Sequence, residues 1–80
     1  MEINLKELNS KEKLLAYFQE NFDEMYAANY DALIDVLTFI KNDLNINFVN
    51  SNCYSDLDNL KEVFEIITNE NNKISYTIDA

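Results

Sequence analysis

The side chains whose type and spacing could do chemistry are, first, two carboxylates. Asp31 and Asp35 stand four positions apart in a stretch that reads as helix, and on a helix that spacing stacks them on one face. A carboxylate pair is the equipment of glycoside hydrolysis, but there the two groups must flank a bond across a cleft, and two residues one turn apart share a single convex face. Cys53, the one cysteine, would be a nucleophile or half of a disulfide, yet the chain has no His to act as its base and no second Cys. Exposure would still leave it open to oxidation or crosslinking. The run Asp56-Leu57-Asp58-Asn59-Leu60-Lys61 starts like a calcium loop and then fails, with Leu at the fifth position, Lys where Gly is needed and no Glu at the twelfth. It reads better as the capped start of a helix. A chain without His lacks the commonest general base and metal ligand, and one without Gly lacks the loops that cradle phosphates. The expectation is a protein with no catalytic residues, no metal and no cofactor, and hence not an enzyme.

What remains to work with is charge. Fifteen Asp and Glu against six Lys and no Arg give −9, while 48% apolar residues with five Phe and five Tyr are too many for a disordered acidic tail. The charge must coat a folded core. It would repel nucleic acid and anionic membranes, whose phosphates are bound by Lys and Arg, and its natural complement is a basic partner. Its distribution is uneven: between Lys13 and Lys41 there is no basic residue, whereas Glu20, Asp23, Glu24, Asp31 and Asp35 all fall there. Like charges at the spacing of Asp31 and Asp35 cost a helix roughly 0.2–0.5 kcal/mol. Asp31, in a first helical turn, would complement the helix dipole; Asp35 lies too far along for that explanation. Tyr26, Tyr30 and Ile34 flank the acids, off the apolar stripe. They form either an exposed aromatic recognition surface ringed by carboxylates or, for the tyrosines, lids on the core whose hydroxyls reach water.

The elements that must position these residues follow from periodicity. Eighty residues make one domain, residues 1–80, burying roughly 60–65% of its unfolded surface. Thirteen Asn crowd the gaps between apolar patterns, notably 42–52 and 69–72, and in a chain without Gly and Pro they take over as turn formers that tolerate positive φ. Residues 2–6 alternate as a short strand does. Asn9-Ser10-Lys11-Glu12 supplies a cap residue with Glu three places on, so a helix starts near Ser10, carries Leu14, Leu15, Phe18 and Phe22, and ends around Asn21 to Asp23. The segment 21–29 reads as a loop. A second helix runs from about Asn29 to Lys41 on Ala32, Leu33, Val36, Leu37 and Ile40, and Ile46 to Val49 is a short strand. Ser55-Asp56-Leu57-Asp58 opens a third helix as an acidic capping box, followed by Leu57, Leu60, Val63, Phe64 and Ile67. Ile74, Tyr76 and Ile78 alternate as a last strand. The order β-α-α-β-α-β predicts an α/β fold, a three-stranded parallel sheet with about three helices packed against it. No apolar run reaches a membrane span and the first residues lack the order of a secretory signal, so a cytoplasmic protein is expected.

The run from Tyr26 to Thr38, Y-A-A-N-Y-D-A-L-I-D-V-L-T, resembles the signature segment of the barstar family, the intracellular inhibitors of barnase-type secreted ribonucleases. The family pattern is approximately Y-G-x-N-x-D-A-L-W-D-x-L-T, matched without a gap at Tyr26, Asn29, Asp31, Ala32, Leu33, Asp35, Leu37 and Thr38. The order of elements on both sides, through the Val63-Phe64 helix and the last strand, is similar over nearly the whole chain. The resemblance implies a protein that plugs the active site of a basic ribonuclease with an acidic helix and the loop before it. Asp35 would take the phosphate position, Asp31 would pair with basic residues beside it, and Tyr26, Asn29 and Thr38 would pack or hydrogen-bond around them. Glu70 lies where the family often carries a further acidic contact. The chain departs from the pattern at Ala27 and Ala28, at Ile34 where the family has Trp, at Met25 where a second aromatic often stands, and at Ile66 where an acid is usual. The stretch between Thr38 and the last helix is also short. The expected partner is thus a basic ribonuclease or a related toxin. The competing expectations are an acidic protein that mimics nucleic acid to mask a DNA-binding protein, and a regulatory module of the same fold with no ribonuclease target.

Overall fold

A computed structural model describes residues 1–22 and 29–80. Three strands, β1 (Glu2–Asn4), β2 (Leu44–Val49) and β3 (Ile74–Ile78), form one parallel sheet in the order β1-β2-β3. Ile3 pairs with Phe48 and Ile46 with Tyr76. The helices α1 (Lys11–Asn21), α2 (Tyr30–Thr38) and α3 (Leu57–Glu70) supply the connections that parallel strands require, so the β-α-α-β-α-β order and the α/β class hold. Alternation along the strands sends Ile3, Ile46, Phe48 and Ile74 into the core with Leu14, Leu15, Phe18, Leu33, Leu37, Leu60, Phe64 and Ile67. Phe64 lies at its centre, edge-on to Phe48 with ring centroids 5.1 Å apart and against Phe18 at 6.2 Å and Tyr76 at 5.5 Å. The other face of the sheet is polar: Asn45 Nδ2 donates to Ser75 Oγ at 2.8 Å, and Thr77 Oγ1 donates to Asn47 Oδ1. Parallel sheets normally hide both faces; here amide and hydroxyl pairs satisfy one another across the strands where a second helical layer would lie.

Several local readings change. β2 begins at Leu44, inside the Asn-rich stretch expected to be a turn, because Asn45 and Asn47 point to the polar face. A single 3₁₀ turn, Ser51–Cys53, follows it, entered through Asn50 at φ 58°, ψ 44°, the left-handed region that Asn tolerates better than most residues. Ser10, not Asn9, caps α1, accepting the Lys13 N–H at 3.3 Å. α2 stops at Thr38 rather than Lys41. The capping box expected at α3 does not form. Asp56 is the cap residue, but its carboxylate makes no bond to the backbone of the first turn; it accepts from Asn59 Nδ2 at 2.8 Å and from a tyrosine of α2.

Candidate functional site

α2 is the element that presents the two carboxylates, and it begins with Asn29, whose Oδ1 accepts the Ala32 N–H at 2.8 Å. Asn29, expected among the partner contacts, is thus the N-cap of the helix, and its side-chain oxygen is committed there. Leu33 and Leu37 face the core and fix the rotation of the helix, which leaves Asp31 and Asp35 exposed on the opposite side. Asp31 sits in the first turn, where the dipole favours it. Asp35 falls in the last turn of a helix that ends at Thr38, where the dipole opposes a negative charge, and α2 has no basic residue in that turn. Glu70 repeats the pattern as the exposed last residue of α3, again with no basic residue in the last turn.

Tyr30 and Ile34 are less exposed than the carboxylates they flank. Both are half-buried and pack against the core. The Tyr30 hydroxyl donates to Asp56 Oδ2 at 2.8 Å and lies 3.0 Å from the Tyr54 hydroxyl, which leaves Tyr54 as the donor of that second bond. Burial, reinforced by the bonds to Tyr54 and Asp56, pushes the Tyr30 hydroxyl well above its ordinary value, so it stays protonated and able to donate. Burial also raises Tyr54, against the pull of its bond to Tyr30. Of the two earlier readings of Tyr30, the structure is nearer the lid on the core, but its hydroxyl is bonded to Tyr54 and Asp56 rather than reaching water. Lys11 Nζ covers the outer side of its ring, 5.4 Å from the centroid. Tyr26 lies outside the described residues.

The other end of α2 is held by a residue that periodicity gave no reason to select. Asn71, 8% exposed, donates through Nδ2 to the carbonyls of Leu37 (3.0 Å), Thr38 (3.3 Å) and Ile40 (2.9 Å), and its Oδ1 accepts the Lys73 N–H at 3.0 Å. The carbonyls at a helix end need such partners. α2 and α3 therefore run side by side in the same direction, joined at their starts by Tyr30 and Asp56 and at their ends by Asn71.

Beyond the end of α2 lies an open groove of about 610 Å³, lined by Thr38, Phe39, Ile40, Lys41 and residues 69–73. It brings Thr38 and Glu70 together, although the Thr38 hydroxyl turns back to the Asp35 carbonyl at 3.2 Å. It also exposes Phe39, which sequence reasoning missed; its one signal was a position outside the apolar stripe. Among the described residues no three His, Cys, Asp or Glu side chains gather as a metal site would require, and no helix is long and apolar enough to cross a membrane.

Compared with known proteins, the chain matches no protein-family model and no curated protein.

Proposed function

We propose that this protein is a barstar-like inhibitor that binds a basic ribonuclease or a related toxin and blocks its active site with α2. The observation that carries the reading is the pair Asp31 and Asp35, exposed on one face of a helix held to α3 at both ends. Two like charges on one helix face, the second against the dipole, raise the free energy of the unbound protein, a cost repaid when cations arrive. In an enzyme that cleaves RNA those cations exist to bind the scissile phosphate. A carboxylate placed among them substitutes for the phosphate charge, and no reaction follows because there is no phosphodiester to break. The anchoring of α2 matters to this mechanism because a helix already in place loses little conformational entropy on docking. Asp35 takes the phosphate position, Asp31 pairs with cations beside it, and Glu70 supplies a peripheral acidic contact. Such an inhibitor protects the cell that makes the nuclease, and so works in its cytoplasm.

The test is binding to a barnase-type ribonuclease by parent, Asp31→Ala and Asp35→Ala. Each variant should lose about 2–5 kcal/mol of affinity, the usual cost of truncating one partner of a buried charge pair, and should leave the ribonuclease active. Binding unaffected by either substitution refutes the reading. Affinity spread thinly over many carboxylates, with a steep salt slope, would instead identify a nucleic-acid mimic.

A further inference from the structure

We infer that Phe39 is an apolar anchor that enters a hydrophobic pocket of the basic partner, directly beside the cations that receive Asp35, and that it controls how long the complex lives. This rests on the reading above. Phe39 is 80% exposed, whereas Phe18, Phe48 and Phe64 are fully buried; the other large apolar side chains exposed among the described residues are Met1 at 41% and Ile66 at 40%. The ring does not fill the groove that it borders. Its position is nevertheless fixed: the Phe39 N–H donates to the Val36 carbonyl at 3.3 Å, and Asn71 holds the carbonyls of Thr38 and Ile40 on either side. An aromatic ring on a pinned backbone, with few torsions to freeze, is the type of residue that dominates interface energetics. Phe39, the cap residue just past α2, follows Asp31 and Asp35 at the same step of four, which sets two carboxylates and one ring in line along the exposed side of the helix and its end. That line selects the occupant. A second copy of this chain, at −9, or an anionic membrane would set like charge against Asp31 and Asp35, whereas a basic protein with an apolar pocket beside its anion site complements both parts.

The experiment measures association and dissociation of the full chain on an immobilised barnase-type ribonuclease at two salt concentrations, for parent, Phe39→Ala, Phe39→Leu and Asp35→Ala. Phe39→Ala should speed dissociation roughly 10- to 150-fold, the equivalent of losing one buried Phe side chain. Its association rate and salt dependence should stay those of the parent, and Phe39→Leu should recover part of the loss. Asp35→Ala should in addition slow association and flatten the salt dependence. Because the ring is exposed, the thermal midpoint of Phe39→Ala should stay within a few degrees of the parent. If Phe39→Ala binds within threefold of the parent while Asp35→Ala loses affinity, the anchor is wrong and the inhibitor reading stands. If neither substitution matters, or the ribonuclease is not bound, both fall. If sedimentation finds the parent dimeric and Phe39→Ala monomeric, the occupant is a second copy and the anchor is overturned.

Discussion

Replacing Asn71 by Ala tests whether the α2–α3 pair is held as described. The substitution removes an amide whose two hydrogens serve three carbonyls between 2.9 and 3.3 Å and whose oxygen accepts the Lys73 N–H at 3.0 Å. A net hydrogen bond contributes about 1 kcal/mol, and a buried acceptor left without a partner costs about 1–3 kcal/mol. Water entering from the adjoining groove can rescue part of this, so the loss should be about 2–4 kcal/mol. At about 0.05–0.15 kcal/mol per residue the whole fold of 80 residues is worth about 4–12 kcal/mol. In a domain of this size 1 kcal/mol moves the thermal midpoint by about 4–8 °C, so Asn71→Ala should melt roughly 8–32 °C below the parent. Thermal and urea unfolding followed by circular dichroism read this directly. Asn71→Asp is the sharper companion, since it keeps the acceptor for Lys73 but turns a carboxylate toward three carbonyl oxygens. It should cost more than Ala at pH 7, and the gap should narrow near pH 4, where the carboxyl regains a proton to donate. If Asn71→Ala melts within about 3 °C of the parent, the amide does not hold the helix end and the account of why α2 is rigid fails.

Four further outcomes follow from the same geometry. Tyr30→Phe keeps the packing but removes the hydroxyl from Tyr54 and Asp56, and urea unfolding at pH 7 should record a loss of about 1–3 kcal/mol. The raised Tyr30 and Tyr54 values also set an alkaline limit: above pH 10, the ordinary value of both, the unfolded chain sheds protons that the folded one retains, so stability should fall as pH rises, with a shallower slope in Tyr30→Phe. Asn29→Ala should cost about 1 kcal/mol as a lost cap while Asn29→Asp restores it, and thermal melts of the two separate a capping role from a partner contact. Phe64→Ala removes the ring on which Phe18, Phe48 and Tyr76 converge, a loss of about 3–5 kcal/mol that should leave the chain partly unfolded at room temperature, visible as collapsed dispersion in its NMR spectrum.

Where burial follows from local periodicity, the sequence was readable. The Leu14 to Phe18 and Leu60 to Ile67 patterns marked α1 and α3, and Ile74, Tyr76 and Ile78 marked β3 within the limits observed. Asparagine was the ambiguous letter. At Asn50 it does form the turn, at Asn45 and Asn47 it pairs across strands, and at Asn71 it captures a helix end thirty-four residues earlier in the chain. The last two uses depend on contacts between distant segments, which composition does not encode. The end of α2 moved for the same reason: the apolar pattern continues through Ile40, but the Asn71 amide takes carbonyls that a longer helix would need. In the candidate site, the exposure of Asp31 and Asp35 was legible from the Leu33 and Leu37 stripe, while the inward packing of Tyr30 required knowing that Asp56 would be across from it.

Asn50 is the one described residue with positive φ, and the chain contains no Gly at all. A left-handed position would usually fall to Gly, at the cost of an unfolded state with more conformations to lose. Asn50 avoids that cost and adds a side-chain bond to Asn4 Oδ1 at 2.8 Å, joining the exit of β2 to the exit of β1. Part of the stability of this small domain therefore resides in no folded contact. It lies in the restricted backbone freedom of the denatured chain, each avoided glycine contributing up to about 0.4–1 kcal/mol. Asn50→Gly would relax the turn and still weaken the protein, in part by losing the bond to Asn4 and in part through an unfolded ensemble that no inspection of the native state reveals.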